Sequence, residues 1–411
     1  MIHGLNVLFC FWVSVAGSQA NIVSRMLDQD MVSISVLPFE STGGAEIAED
    51  ESWEILRKDF DFSSRFEYHG ADEFDSADFA DNSIPLFVAG SYSVQGDTVD
   101  LTLRLMDAIR QERVLQKRYR YTTGSGRSVM HTFANEVHNR IFAEEGVFTS
   151  AIYYTQNDGR GRNVYRMDFD GHNARTITRG DLNIMPAPGK ERELYWVSFA
   201  RGKADLYKGY LDEGVRTPFF ASRRVESSPQ YSDISGRVVF ASSHRGNMDI
   251  YTLTAEGEDL QRLTTSNSVD ISPAWSPNGY VIAFISDRSG SPQIYRMNRE
   301  GEDVRRITYG GTYFDSPAWS PTGEKLAYTS RRDGRFDIFT SKIDGSEEKN
   351  ITAGISGSHQ SPSWSPDGEY IAFQSRRNGA SDIYIIRLKD SELFQITHSG
   401  SAVMPAWARD N

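Results

Sequence analysis

The sequence predicts an α+β N-terminal domain followed by an all-β six-bladed β-propeller, on three observations. A proline marker returns at Pro186, Pro229, Pro273, Pro317, Pro362 and Pro405, at steps of 43 to 45 residues. An aromatic marker keeps the same beat at Tyr165, Tyr207, Tyr251, Tyr295, Phe339 and Tyr384. A repeat of roughly 40 to 45 residues built from short strands is one four-stranded blade, so six markers mean six blades. The third observation concerns the ends of the repeat region. The chain finishes on an orphan first strand, Met404-Pro405-Ala406-Trp407, while the first repeat opens on a second strand, Ala151 to Tyr154, with no proline of its own. Pairing these two strands closes the ring between its ends and removes the exposed edges of an open array.

The propeller is assigned residues 148–411, which leaves 21–147 for the N-terminal domain with a short arm, and 1–20 for a signal peptide. Leu5 to Ala16 is apolar except for Asn6 and Ser14, too short to span a bilayer, and leads into Ser18-Gln19-Ala20. Its n-region holds His3 in place of Lys or Arg. Cys10, the only cysteine, lies in this segment, so the mature chain is expected to form no disulfide and no thiolate metal site. In the domain, Val32, Ile34 and Val36 alternate with Ser33 and Ser35, which predicts a strand over 32–38. A charged helix is read from about 45 to 60. Runs 85–94, 98–106 and 114–121 are strand-like, the first two joined by the hairpin signal Gln95-Gly96-Asp97. Val129, Phe133, Val137 and Ile141 stand four apart and mark one face of a helix over 128–143.

Within a blade, Trp275, Trp319 and Trp364 end the first strand, and a proline-to-glycine turn follows (Pro277-Asn278-Gly279, Pro321-Thr322-Gly323, Pro366-Asp367-Gly368). Strand two is 281–285, 326–329 or 371–374. Strand three carries Ile250-Tyr251, Ile294-Tyr295, Ile338-Phe339 and Ile383-Tyr384. Strand four is read at Leu263-Thr264, Ile307-Thr308, Ile351-Thr352 and Ile396-Thr397.

A net charge of -12 with pI near 5.2 argues against nucleic-acid binding, which draws on Lys and Arg, and a hydrophobic content of 39 % is too polar for membrane insertion. Part of the acidity is local, in the runs Glu46 to Glu54 and Asp72 to Asp81, read first as solvated surface. No enzyme is expected: there is no Gly-x-Ser-x-Gly elbow, no His-Glu-x-x-His and no sialidase-type loop. His131 and His138 share a helix face but stand ~10 Å apart at ~1.5 Å rise, too far for one metal, and are read as surface or interdomain residues. No cofactor and no metal are expected, and the chain is read as a monomer.

Candidate binding residues gather in two sets of loops that propeller topology places on one face. The variable fourth-to-first strand loops hold Glu226, Asp270, Tyr313, Phe314, Asp315, His359 and Gln360, charges and aromatics of the kind a protein-binding centre uses. The second-to-third strand loops repeat a cation at Arg201, His244, Arg288, Arg332 and Arg377. These form either a ring that docks a carboxylate-rich partner, since Arg offers a planar fork, or five local pairs with acids such as Asp249, Asp315, Asp337 or Asp382.

Pro-x-Trp-Ser-Pro-Asp-Gly, the strand Ile371-Ala372-Phe373-Gln374-Ser375 and Asp-Ile-Tyr together resemble the repeat of TolB-like propellers, which peptidase-associated propellers share. The order of signal peptide, small α/β domain, junction Glu145 to Tyr154 and six blades is similar to the TolB family over nearly the whole length, as is Arg104-Leu105-Met106-Asp107-Ala108. The resemblance implies a non-enzymatic periplasmic adaptor of the Tol-Pal envelope system that supports outer-membrane integrity and invagination at division. It implies binding of the lipoprotein Pal at the channel mouth, through the seven loop residues above, and of TolA through the arm, at Asn21, Ile22, Val23 and Arg25. Blades one and two depart from the pattern, with Met185-Pro186-Ala187-Pro188-Gly189 in place of the tryptophan and its turn. The alternative is a periplasmic glycan-binding or glycan-processing propeller, which would need a convergent carboxylate pair with stacking aromatics.

Overall fold

The computed structural model describes residues 31–44, 52–70, 85–180, 182–211 and 216–409, arranged as two compact units that divide between Thr149 and Ser150. The expected signal peptide and the arm residues Asn21, Ile22, Val23 and Arg25 lie outside the described residues, as does most of both acidic runs.

In the first unit, β1 (Val32–Val36), β2 (Glu40–Gly44), β3 (Phe66–His69), β4 (Leu86–Gln95), β5 (Thr98–Asp107) and β6 (Glu112–Thr122) form one sheet in the order β3-β1-β4-β5-β6, with β2 also on β4. The β1, β2 and β3 pairings are parallel, and β4-β5-β6 is an antiparallel meander. Strict alternation puts Leu86, Val88, Tyr92, Val99, Leu101, Leu103 and Leu105 on one buried face. That face meets Leu56 and Phe60 of α1 (Ser52–Phe62) and Met130, Phe133, Val137 and Ile141 of α2 (Gly126–Phe142). The periodicity found four of these strands and missed two. β2 reads ESTGG with every residue exposed, and β3 reads FEYH with only Phe66 buried, so neither shows a hydrophobic pattern. His131 and His138 are buried rather than on the surface: His131 Nδ1 lies 2.8 Å from Asp59 Oδ2, and His138 Nδ1 lies 2.9 Å from the Glu144 carbonyl among Phe66 and Phe142.

The second unit is six four-stranded antiparallel sheets. Blade four is representative: Asp270–Trp275, Val281–Ser286, Gln293–Asn298 and the short Arg305–Arg306. Blade one is completed by the C-terminal strand Val403–Arg409, which pairs with Ser150–Asn157 at Val403↔Thr155, Ala406↔Tyr153 and Trp407↔Ile152, so the ring closes as the two chain ends predict. In each blade the residue before the marker proline (Met185, Ser228, Ser272, Ser316, Ser361, Met404) takes a φ of 50–55°. The ladder slips there, as between Ile271 and Ala274. Proline has no N–H to donate, and a bulge at that point lets the strand bend without a missing rung.

Tryptophans join neighbouring blades. The Trp319 indole N–H donates to Ala274 O at 3.0 Å and that of Trp364 to Ala318 O at 3.2 Å, whereas the Trp407 indole N–H stays within blade one, on Ser150 Oγ at 2.7 Å, and its backbone N–H reaches Ser363 Oγ of blade six at 2.9 Å. Strand four lies one step earlier than the sequence suggested, at Gln261–Arg262, Arg305–Arg306, Lys349–Asn350 and Leu393–Gln395. The threonines of the Leu-Thr and Ile-Thr pairs follow it. Their hydroxyls accept strand-three N–H groups of Ile250, Ile294, Ile338 and Ile383 at 2.8–3.0 Å. Among the described residues no helix is long and apolar enough to cross a membrane.

Candidate partner-binding face

Because strands one to four alternate in direction, the fourth-to-first and second-to-third loops emerge at the same end of the propeller. A channel of about 480 Å3 runs along the first strands, lined by Ser228, Ser272, Ser316 and Ser361, by Met185 and Met404, and by Asp315, Gln360 and Gln374.

The seven loop residues named from the sequence divide by burial. Glu226, Asp270, Phe314 and His359 hold one register position at the start of the first strand, opposite Ser242, Ser286, Ser330 and Ser375, and all four are fully buried. Glu226 accepts from Ser222 Oγ and, at 3.3 Å, from Ser242 Oγ, and burial pushes its carboxyl up. Asp270 receives Arg288 Nη2 on both carboxylate oxygens at 3.1 Å. Phe314 packs on the ring of Tyr328 at 5.7 Å. His359 donates from Nε2 to Ile355 O at 3.3 Å and stands edge-on to Phe373, and burial pushes its pKa down. These four side chains shape the mouth from behind.

Tyr313, Asp315 and Gln360 stay at least partly open. Asp315 lines the channel, where its Oδ1 accepts Ser272 Oγ at 3.0 Å and the Ser316 N–H at 2.7 Å; burial pushes its carboxyl up. Tyr313 sits edge-to-face with Phe336, ring centroids 5.5 Å apart. Gln360 accepts from Gln374 Nε2 at 3.0 Å, and Gln374 in turn accepts the Met404 N–H freed by the bulge.

Sequence reasoning missed Val225, Val269 and Tyr309, which stand 48 %, 39 % and 72 % exposed in the same loops. The signal was available for two of them: Val225 and Val269 each precede a selected residue, and alternation turns one member of such a pair inward and the other outward.

The five selected cations are all held locally. Arg288 also lies over the Tyr295 ring at 4.9 Å, Arg332 over Phe339 at 4.2 Å and Arg377 over Tyr384 at 4.3 Å. Arg332 pairs with Glu348 at 2.6 Å, Arg377 donates to Ser375 Oγ at 3.0 Å, and Arg201 is 3.9 Å from Asp205. His244 stands edge-on to Tyr251. The aromatic marker of strand three is therefore the platform on which these arginines lie. In each Arg-Arg pair the second member lies on the aromatic and the first, Arg331 or Arg376, is exposed; Arg223, Arg224 and Arg245 are exposed too.

This arrangement offers apolar side chains and cations around a channel. Among known proteins, the family described as TolB beta propeller domain matches residues 138–359. The Tol-Pal system protein TolB of Desulfosudis oleivorans is 32 % identical over 196 residues, 47 % of this chain and 44 % of that one. The protein of the same name from Geobacter sulfurreducens is 36 % identical over 115 residues, 28 % of this chain and 27 % of that one. The chain thus spans less than half the length of these relatives in the matched region. The crystal structure of TolB from Acinetobacter baumannii shares the fold, with a TM-score of 0.79 over 93 % of this chain and 97 % of that one at 22 % identity. With the closed six-bladed ring, its repeated bulge and this match over more than half its length, the chain belongs to the TolB β-propeller family.

Proposed function

We propose that this chain is a non-enzymatic periplasmic adaptor of the Tol-Pal trans-envelope system. In this reading it binds Pal across the channel mouth and TolA through the arm at Asn21 to Arg25, and supports outer-membrane integrity and invagination during cell division. The observation that carries the Pal reading is the mouth itself. Val225, Val269 and Tyr309 are exposed in its loops beside the exposed Arg224 and Arg331, and apolar anchors with arginines are what protein interfaces favour. The TolA reading rests on the family resemblance of the arm.

The test is calorimetric titration of the purified chain with the soluble domain of Pal from the same organism. Saturable one-to-one binding is expected. Replacing Val269, Tyr309 and Tyr313 together by alanine is expected to weaken it at least about tenfold, since an exposed anchor is worth 1 kcal/mol or more. Alanine at Phe314 or His359 would remove a buried side chain and test stability instead. Failure of folded wild-type protein to bind Pal would sink the adaptor reading and turn attention to glycan oligomers as ligands.

A further inference from the structure

Strand β6 ends the meander of the first unit, and no described strand pairs with its outer side. It is eleven residues long and holds no proline or glycine; its register slip lies at one end, opposite Leu105 and Met106. Edges of this length and regularity are templates for another strand, and native proteins usually blunt them.

The phase of the ladder fixes which groups are free. Thr123 donates its N–H to Asp97 O at 2.8 Å, so Val99, Leu101 and Leu103, which follow at steps of two, bond inward-facing Tyr121, Tyr119 and Lys117. The N–H and C=O groups of Gln116, Arg118 and Arg120 therefore point outward. Their side chains stand on the sheet face away from the helices, opposite Arg104, Thr102 and Asp100.

Charge selects the occupant. In a chain of net charge -12, β6 carries Arg113, Lys117, Arg118 and Arg120 against the single acid Glu112. Lys117 is paired with Glu136 at 2.5 Å, and Arg120 makes two bonds to Asp100, at 2.7 and 3.1 Å. Arg118 is exposed and has no side-chain partner among the described residues. A second copy adding edge to edge would set arginine against arginine, which destabilises a cross-strand pair. An acidic strand would meet Arg118 with a charge-assisted bond and complete the backbone ladder. We propose that the outer edge of β6 docks an extended acidic segment of a partner protein, which joins the sheet as a further strand. This surface is distinct from the propeller mouth, and the proposal does not depend on Pal binding.

The probe is an acetylated seven-residue peptide of alternating threonine and glutamate, titrated into the full chain, with its carbonyls isotope-labelled so that infrared absorption reports strand formation. Saturable binding with a shift of the labelled band to the β-sheet position is expected. The lysine counterpart of the peptide is expected not to bind. Arg118→Glu should weaken binding at least about tenfold, the loss of one charge-assisted bond. Gln116→Pro should abolish it, because it deletes an outward N–H at an edge position where proline is tolerated. If Gln116→Pro does not fold, Arg118→Glu, at an exposed and unpaired side chain, decides alone. Absence of saturable binding, binding unchanged by the substitutions, or a wild-type dimer that Gln116→Pro or Arg118→Glu converts to monomer would each overturn the proposal, the last by making a second copy the occupant.

Discussion

Asp367 shows how a repeat reports on its own chemistry. It occupies the strand-one turn of blade six, where its Oδ1 accepts Ser365 Oγ at 2.5 Å and the Glu369 N–H at 3.1 Å. In blade four Asn278 makes the same two bonds, from Ser276 Oγ at 2.7 Å and the Tyr280 N–H at 3.1 Å. The turn thus needs an acceptor oxygen and no charge. Burial pushes the Asp367 carboxyl up from 3.8 to about 6. A carboxyl whose pKa is higher folded than unfolded holds its full stability below the unfolded value, and loses it as pH rises from about 4 to about 6. Asp367→Asn keeps both acceptor bonds and stays neutral. Above pH 6 it should therefore be more stable than the parent by on the order of 1 kcal/mol after allowance for solvent screening, with no difference below pH 4. Thermal melts from pH 4 to 7 check this, and a gain independent of pH would show that the charge is not the cause. The residue scale also shows where sequence reading loses resolution. The loops at the mouth were legible from the repeat, but which of Val225 or Glu226, and which of Arg331 or Arg332, faces solvent depends on a one-residue phase. Composition does not carry that phase; the ladder does.

At the scale of elements, the strands with strong alternation were legible and those formed by neighbours were not. β2 and β3 exist because β4 and β1 offer them edges, and strand four of blades three to six is only two or three residues held by the threonine that follows it. Helix α2 ends on Ala143 in the left-handed region, φ 57°, with its N–H on Asn139 O. An L side chain there costs about 1 kcal/mol that glycine avoids, and Ala143 is exposed, so Ala143→Gly should raise stability by about 0.5–1 kcal/mol. Chemical denaturation would show it as a higher midpoint at constant slope. The tryptophan staple gives a sharper contrast. Trp319 donates to Ala274 O across the blade boundary, whereas the buried Trp275 indole N–H has no partner among the described residues. Both rings bury similar area. Trp319→Phe removes a buried hydrogen bond between blades, so it should cost about 1 kcal/mol more than Trp275→Phe, which removes an unpaired group. Equal costs in the same denaturation series would assign the staple to packing alone.

At the scale of the whole molecule, the fold was legible because a ring imposes constraints that leave marks in the chain. A bulge must recur once per blade, so a proline recurs; the last strand must complete the first blade, so each end of the repeat region is incomplete in a complementary way. The second consequence is testable. In an open repeat array each unit contacts only its neighbours, and removing a terminal strand costs little more than that strand's own contacts. In a closed ring the same deletion removes Trp407, with its bond to Ser150, and bares the ladder edge of Ser150–Asn157 along with the blade-six face it covered. A chain ending at Ala402 should therefore melt at least about 10 °C lower, several kcal/mol in a unit of this size. It should also self-associate through the bared edge. Adding the deleted strand, residues 403–409, as a separate peptide should restore part of the melting temperature, increasingly so at higher concentration, since anything that binds only the folded ring stabilises it by mass action. Calorimetry and light scattering on the shortened chain, with and without the peptide, give the answer. A shortened chain that stays monomeric and melts within a few degrees of the parent would mean that the blades hold their curvature without closure.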